Sequence, residues 1–334
     1  MLARTIIRLI WKRLLSAIPT LLLVSALSFA LIGAAPGDAL SSLEQDPRVG
    51  QETITRLRRE YGLDQPLTVR YVRWLSSIVR GDFGTSLTEH IPVTSLIGAR
   101  LINTLKLSLT ATLLAWLLAL PLGVWAALRR GSWIDRVTGA FALISVSTPR
   151  IVLAILALLF AARTGLFPIG NVSSLNAANA SNSLGGFSLA SLIDSLHHLA
   201  LPAVVMSLPL AAVYLRQMRA GMIEALSADF IRTARAKGLS ERVVVMRHAA
   251  RAAINPLITL FGYAIAALLS GSIIVETIMA WPGVGQLAVM AVRGRDVPVL
   301  MGVVLLTSIM IVLGNLIADI LQVIADPRLR EEAV

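Results

Sequence analysis

The side chains best able to do chemistry are basic, and they are concentrated in the segment DFIRTARAKGLSERVVVMRHAARAAINP, residues 229–256. Against two acidic residues, Asp229 and Glu241, the segment carries six basic ones: Arg232, Arg235, Lys237, Arg242, Arg247 and Arg251. Positive charge at this density is typical of a nucleic-acid-binding surface. However, Phe230 is the only aromatic residue in the segment, and the sequence on either side is almost wholly apolar. These flanks favour a basic loop between membrane spans, and we expect no nucleic-acid partner.

Motifs for catalysis are missing from the sequence. It has no cysteine, no G-x-x-x-x-G-K-[ST] phosphate loop, no H-E-x-x-H and no G-x-S-x-G. His197 and His198 are adjacent, so on a helix their side chains point about 100° apart, which is poor geometry for one metal ion. We therefore expect this chain to be no enzyme and to hold no metal or other cofactor of its own.

The composition indicates which elements carry the basic segment. Of the 334 residues, 56% are hydrophobic and 15% are charged, the formal net charge is +11, and the mean hydropathy is +0.76. A membrane-spanning helix needs about 20 mostly apolar residues. Six segments are predicted to span: 14–35, 101–128, 137–162, 195–215, 252–275 and 297–320. The predicted fold class is an all-α integral membrane protein with six transmembrane helices.

The connections between these spans differ in basic charge. The N-terminal flank, the second-to-third connection and the 216–251 loop are rich in Lys and Arg, whereas 163–194 holds one such residue and 276–296 holds two. Cytoplasmic loops are enriched in Lys and Arg, so both termini and the 216–251 loop are predicted to be cytoplasmic. The 36–100 connection is then extracytoplasmic, and the spacing of Tyr71, Trp74 and Ile78 predicts a short amphipathic helix within it.

The two ends of the chain lie outside the predicted spans. Residues 1–13 place Arg4, Arg8 and Lys12 on one helical face, which predicts an interfacial helix leading into the first span. The cluster also serves simply as an orientation signal, and the two interpretations are compatible. Residues 321–334 are predicted to form a cytoplasmic tail.

One charged residue falls inside a predicted span. Arg150 lies near the middle of 137–162, directly after Pro149. A charge at that depth is costly and usually faces a bundle interior or a water-filled path, which suggests a pore-lining group that attracts a substrate carboxylate or carbonyl. The alternative is structural: Arg150 hydrogen-bonds carbonyls that Pro149 leaves free, or the span is shifted so that Arg150 reaches the interface.

The basic loop contains signals for a short helix. Asp229 can cap a helix that begins at Phe230, and Gly238 can end it at Lys237, because glycine favours the left-handed conformation past a helix end. In this helix Phe230, Ile231 and Ala234 lie toward one side. A second helix is predicted to begin near Ser240 and to continue into the fifth span.

This segment resembles the cytoplasmic EAA loop of ABC-importer permeases, in the form found in the dipeptide/oligopeptide/nickel family. Three further stretches are similar to that family: GDFGTSL in the first outer loop, WPGVGQL before the last span, and DPRLR near the C-terminus. The order of these four motifs agrees over nearly the whole chain. The Glu-Ala-Ala positions themselves hold Arg232, Thr233 and Ala234, a relaxed form that lacks the acidic contact.

The resemblance implies a type I ABC importer permease fold, with a transmembrane permease domain at about 95–325, in a bacterial inner membrane. It implies a homologous second permease subunit, two ATPase subunits that bind ATP and Mg²⁺, and an extracytoplasmic solute-binding protein. A coupling helix that contacts the ATPase is expected at Phe230, Ile231, Arg232, Thr233, Ala234, Arg235, Ala236, Lys237 and Gly238. A loop facing the binding protein is expected at Trp281, Pro282, Gly283, Val284 and Gly285.

The substrate stays open at this stage. Peptides are the commonest cargo that the resemblance implies, with nickel chelates and glutathione as alternatives. A self-sufficient secondary carrier is a further hypothesis, motivated by Arg150. It is disfavoured because no internal repeat is visible and the span interiors almost lack the carboxylates that proton-coupled carriers use.

Overall fold

A computed structural model describes residues 2–34, 40, 50–173 and 189–325, and over these residues the chain is helical. The Asn- and Ser-rich stretch at 174–188 and the DPRLR motif lie outside the described residues. The helices are α1 (Leu2–Ala34), α2 (Gln51–Glu60), α3 (Leu67–Val79), α4 (Val93–Leu128), α5 (Trp133–Ser147), α6 (Arg150–Thr164), α7 (Leu189–Ser227), α8 (Asp229–Ala236), α9 (Ala250–Gly271), α10 (Ile273–Ile278), α11 (Val284–Arg293) and α12 (Val297–Ala325). The all-α prediction is therefore confirmed.

Several of these helices are long and apolar enough to cross a bilayer. Among the described residues, four qualify individually: Thr5–Ala34, Val93–Leu128, Leu189–Ser227 and Val297–Ile324. The pair α5 and α6 qualifies together, as a bent unit. The predicted fifth span, 252–275, falls on α9 and the start of α10. A multi-pass membrane protein is thus shown, while the count of six and the cytoplasmic termini stay predictions.

The third predicted span is not one helix. The chain over 137–162 is divided between α5 and α6, which meet at an angle of 103°. Pro149 causes the break, because its ring disfavours the helical conformation for the residue before it. Thr148 accordingly has φ −84° and ψ 121°, in the extended region. The predicted span 137–162 is therefore interrupted at Pro149, and Arg150 is the first residue of α6, at the bend.

The helices α4 and α7 form the centre of the bundle through small side chains. The buried face of α4 includes Ala111, Ala115 and Ala119, spaced at about one helical turn. A Cβ added at Gly123 of α4 would lie 2.7 Å from the Met218 Cβ of α7. Such small residues allow close approach between membrane helices. The helix α7 is continuous over 39 residues although it contains Pro202 and Pro209.

The first helix packs on the outside of this bundle. It is unbroken from Leu2 to Ala34, so the predicted interfacial helix at 1–13 is the first part of α1 and not a separate element. An ion pair of 2.5 Å joins Arg13 of α1 to Asp319 of α12. Farther along α1, the hydroxyls of Ser25 and Tyr71 lie 3.0 Å apart and tie α3, the helix in the predicted outer loop, to α1.

Candidate functional site

The short helix α8 lies where the sequence predicts a coupling helix. It spans Asp229–Ala236, with Ala228 as its N-cap residue, so Asp229 lies in the first turn and does not cap the helix. A carboxylate in the first turn is still favourable, because helix N-termini carry partial positive charge. The chain reaches α8 directly from α7, with only Ala228 between the two helices. The helix α8 is therefore joined closely to α7.

Gly238 ends α8 in the predicted way. Its φ is 74°, in the left-handed region that glycine adopts without strain. The Gly238 N–H donates to the Arg235 carbonyl at 2.9 Å, and the Leu239 N–H donates to the Ala234 carbonyl at 3.4 Å. These two bonds form a Schellman motif, which satisfies carbonyls that a helix end otherwise leaves unpaired. The direction in which the chain leaves α8 is set by this glycine.

One face of α8 packs against neighbouring helical segments of the same chain. Ile231 is fully buried and Ala234 is 6% exposed, and both belong to a core cluster with Met222 of α7 and Val244. Phe230, predicted to lie toward the same side as Ile231 and Ala234, is 46% exposed. The side chain of Ala234 is covered by its own chain, and its contact with an ATPase stays a prediction.

The remaining residues of the predicted coupling segment are exposed. They are Phe230, Arg232, Thr233, Arg235, Ala236, Lys237 and Gly238. Thr233 and Ala236 lie three residues apart, opposite the buried pair, and form a small, flat part of the outward face. This outward face is open to a partner, while Ile231 anchors the helix from behind.

An ion pair closes the turn that follows α8. Arg235 Nη2 donates to Glu241 Oε1 at 2.6 Å and Arg235 Nε donates to Glu241 Oε2 at 3.1 Å. Hydrogen bonding from the Arg235 guanidinium lowers the pKa of Glu241, so the pair stays charged at neutral pH. Ser240 precedes the next helical turn, as predicted, and that turn continues through a π-helical segment at Val244–Ala249 into α9. π-Helical turns are rare and are frequent at functional sites.

A second ion pair holds α7 in the part of the helix that precedes α8. Arg219 Nε donates to Asp135 Oδ1 at 2.5 Å, and Arg219 Nη2 donates to Asp135 Oδ2 at 2.8 Å. The bidentate geometry fixes the C-terminal part of α7 against the first turn of α5. On the other side of α7, a Cβ at Gly221 would lie 3.2 Å from the Ala253 Cα, so α7 and α9 are almost in backbone contact. The helix that leads into α8 is thus held from two directions.

The outer loop at 281–285 is folded into the chain. Trp281, Gly283, Val284 and Gly285 are buried, and Pro282 is half-buried. Trp281 Nε1 donates to the Asn103 carbonyl at 3.1 Å, and Asn103 Nδ2 donates to the Pro282 carbonyl at 2.9 Å. These five residues are therefore largely covered by the chain itself, and the predicted role of the loop toward a binding protein stays a prediction. Through these hydrogen bonds the motif holds α10 and α11 against α4.

Glu276 lies at the centre of these contacts between α4, α10 and α11, and the sequence did not single it out. Its side chain is fully buried, and it accepts hydrogen bonds from the hydroxyls of Thr104 and Ser272, each at 2.8 Å. It also accepts from the backbone N–H groups of Gly285, at 2.7 Å, and Gln286, at 3.1 Å. The amino end of α11 therefore supplies the positive end of a helix dipole to the carboxylate.

A similar buried carboxylate, Asp296, is bound by residues in and directly after the GDFGTSL motif, and it is 1% exposed. Asp296 Oδ2 accepts from Ser86 Oγ at 2.6 Å and from Thr88 Oγ1 at 2.9 Å. Its Oδ1 accepts from the Val299 N–H at 3.3 Å and so caps α12. The sequence offers only a local signal for either carboxylate: Glu276 is a lone acidic residue in an apolar setting before a glycine-rich turn, and Asp296 precedes a helix start.

The other predicted site residues lie apart from α8. Arg150 is half-buried at the first position of α6, next to the 103° bend. His197 Nε2 lies 2.7 Å from the Leu166 carbonyl and His198 Nδ1 lies 2.9 Å from the Asp194 carbonyl, so the two rings have different backbone partners. Within the described ranges no group of three or more His, Asp and Glu side chains is arranged to hold a metal ion.

Comparison with known proteins identifies the family. Residues 119–331 match the model for the binding-protein-dependent transport system inner membrane component, and residues 6–108 match the model for the N-terminal part of that component. The chain belongs to this permease family. The permease is accordingly a multi-pass protein of a bacterial inner membrane, and its family functions with a binding protein. Transport permeases of this kind are not enzymes, in agreement with the sequence analysis.

Curated relatives match the permease over almost its full length. The oligopeptide transport system permease protein AppB of Bacillus subtilis is 40% identical over 320 residues, which cover 95% of this chain and 98% of the relative. The dipeptide transport system permease protein DppB of Escherichia coli is 36% identical over 337 residues, covering 98% and 99%. The glutathione transport system permease protein GsiC of Salmonella paratyphi A is 37% identical over 320 residues, covering 96% and 97%.

Proposed function

We propose that this permease forms half of the translocation pore of an ATP-driven importer for di- and oligopeptides. The observation that carries the proposal is full-length similarity to relatives named as oligopeptide and dipeptide permeases, at 40% and 36% identity. The matched regions cover 95% and 98% of this chain. The peptides are delivered by an extracytoplasmic solute-binding protein.

The other half of the pore is a homologous second permease, and two ATPase subunits bind below. ATP and Mg²⁺ belong to those subunits, since this chain has no phosphate loop of its own. The helix α8 is the element that contacts an ATPase. Its outward face around Thr233 and Ala236 is free for the contact, whereas Ile231 and Ala234 join it to the membrane bundle. Closure of the ATPases on ATP therefore moves α8 and the lower half of α7 together.

The mechanism needs no chemistry within this chain. The differential contacts of α8 with closed and open ATPase subunits bias the bundle between inward- and outward-facing states. The outer loops on the opposite side hold their shape through Glu276 and Asp296, and they offer a rigid platform to the binding protein. Arg150, at the bend between α5 and α6, is placed to attract the carboxylate or a carbonyl of a passing peptide.

Reconstitution tests this function directly. The permease, its second permease, the two ATPases and the binding protein are placed in liposomes, and ATP hydrolysis and uptake of a labelled tripeptide are measured. We expect hydrolysis to rise when binding protein and peptide are both present, and uptake to need all five chains. Peptide uptake by this chain alone, driven by membrane potential, would instead establish a secondary carrier.

Glutathione is the second candidate substrate, favoured by the 37% identity to the glutathione permease protein of Salmonella paratyphi A. The two candidates are separated by titrating the cognate binding protein with a dipeptide, a tetrapeptide and glutathione in a calorimeter. Tight binding of the unmodified peptides supports the peptide function. Selective binding of glutathione, or of a nickel chelate included as a third ligand, would replace the substrate and leave the importer architecture intact.

A further inference from the structure

A groove of about 850 Å³ lies between α5 and α7, at the ends of the two helices that the loop charges assign to the cytoplasm. Its mouth carries Arg136, Arg216 and Arg219. Its deeper wall carries Leu143 and Val213. We call this feature the basic groove. It is separate from the outward face of α8 and from the outer loops.

The charge in the basic groove is only partly neutralised. Arg219 is held by both oxygens of Asp135. Arg136 and Arg216 have exposed side chains and no carboxylate partner among the described residues. Three guanidinium groups against one carboxylate leave a local charge of about +2 at neutral pH. An anion that enters the groove meets two guanidinium groups whose hydrogen-bond donors are unused.

The polarity of the groove changes with depth. On α5, Leu143 lies seven residues beyond Arg136, about two turns farther into the predicted span. On α7, which runs in the opposite direction, Val213 lies three residues before Arg216 and is again on the membrane side. Leu143 is 64% exposed and Val213 is 45% exposed, so apolar surface is uncovered there. Gly139 lies between, and a Cβ at that position would meet nothing within 4 Å.

This order, apolar toward the membrane and basic toward the cytoplasm, is the order of a phospholipid. Basic pockets between membrane helices on the cytoplasmic side are suited to anionic headgroups. A protein partner that covered the same surface would have to bring carboxylates to the mouth and apolar side chains to the wall in one segment. We propose that the basic groove binds an anionic phospholipid of the inner leaflet. The phosphate lies between Arg136 and Arg216, and an acyl chain lies along Leu143 and Val213.

Native mass spectrometry of the purified full chain tests the proposal, with phosphatidylglycerol as the probe and phosphatidylcholine and inorganic phosphate as comparisons. The variant Arg136→Gln with Arg216→Gln leaves the Arg219–Asp135 pair in place. The matched control, Arg129→Gln with Arg130→Gln, removes the same charge from exposed residues of the neighbouring turn. We expect phosphatidylglycerol affinity to fall about tenfold or more in the groove variant and to stay unchanged in the control. Phosphatidylcholine and inorganic phosphate should not compete.

A second variant separates charge from shape. Gly139→Leu puts a side chain into the open groove without changing charge, its Cβ would meet nothing within 4 Å, and the variant should also lose phosphatidylglycerol. Equal lipid retention by the parent and both groove variants would overturn the proposal. So would displacement of the lipid by inorganic phosphate, which would indicate a simple anion site. Loss of the second permease from the complex, with lipid retention unchanged, would assign the groove to the subunit interface instead.

Discussion

The backbone N–H of Gly285 donates to Oε2 of Glu276 across 2.7 Å, so a buried carboxylate lies directly at the amino end of α11. Thr104, on the distant helix α4, completes the arrangement: its hydroxyl donates to Glu276 and accepts from the Val284 N–H, both at 2.8 Å. The Glu276 side chain therefore joins α10, on which it lies, to α4 and α11 on the predicted outer side of the bundle. Removing it leaves several buried donors without an acceptor.

Glu276→Ala is expected to destabilise the permease strongly. Hydrogen bonds to a charged group contribute about 1.5–3 kcal/mol each, and unpaired buried donors add a penalty, so a loss of about 3 kcal/mol or more follows. Glu276→Gln keeps one acceptor and should cost less. Thermal unfolding in detergent micelles, followed by circular dichroism, gives the order. An alanine variant as stable as the glutamine variant would show that the loop repacks around the missing carboxylate.

Gly285→Ala tests the close packing of the same loop. The added Cβ would lie 2.6 Å from the Ile273 Cα, a backbone atom that cannot move aside without shifting α10. We expect poor accumulation of folded protein in the membrane. Gly98→Ala is the matched control, since Gly98 is also helical and its Cβ would meet nothing within 4 Å. Measurement of the fraction that stays monodisperse after detergent extraction compares the two, and equal fractions would contradict the packing argument.

Local features of this chain were predictable and tertiary ones were not. The stop of α8 at Gly238 follows from a property of glycine alone, and so sequence was sufficient. The break at Pro149 also has a local cause, but hydropathy is insensitive to backbone dihedral angles and predicts one span. The partners of Glu276 lie as far away as Thr104, 172 residues earlier, and no periodicity reports such a pairing. Which face of α8 is buried depends likewise on contacts with α7 and Val244, so the sequence alone does not show that Phe230 is exposed while Ile231 is buried.

Ala234 and Ala236 form a paired test of the outward face of α8. Ala234→Glu would bury a carboxylate against the core of its own chain, which is costly, and so it should lower stability and transport together. Ala236→Glu places the same charge on the exposed face. It should leave thermal stability unchanged, reduce ATPase co-purification and abolish uptake. Normal ATPase binding by the Ala236 variant would exclude this face as the contact.

Gly238→Pro should abolish uptake while the permease still inserts into the membrane. Proline fixes φ near −65°, whereas Gly238 has φ 74°, and the ring removes the N–H that donates to Arg235. The chain must then leave α8 in another direction, which misplaces the coupling helix. Gly238→Ala, with a left-handed penalty of about 1 kcal/mol, should reduce uptake only partly. Because the chain has no cysteine, a single cysteine introduced at Lys237 reports insertion and sidedness through labelling.

Arg150→Ala distinguishes a pore-lining arginine from a structural one. If the guanidinium attracts the substrate, uptake should fall about tenfold, mainly through a higher KM, with assembly and thermal stability unchanged. Arg150→Lys should recover part of the uptake, because the charge is retained while the bidentate geometry is lost. Uptake kinetics in liposomes and unfolding in detergent are measured on the same preparations. Unchanged kinetics with lowered stability would assign Arg150 to the bend at Pro149.

The two prolines inside α7 have a mechanical consequence. Pro202 and Pro209 lie seven residues apart, which is almost two full turns, so the backbone hydrogen bonds that they remove lie on the same side of the helix. A helix that lacks two backbone hydrogen bonds on the same side bends most easily in one plane. If α7 bends there, the part beyond Pro209 would carry α8 at its end, together with α5 and α9, to which Asp135 and Ala253 join it. Because α7 continues for 18 residues beyond Pro209, about 27 Å, a small change of angle at the prolines would be amplified at α8.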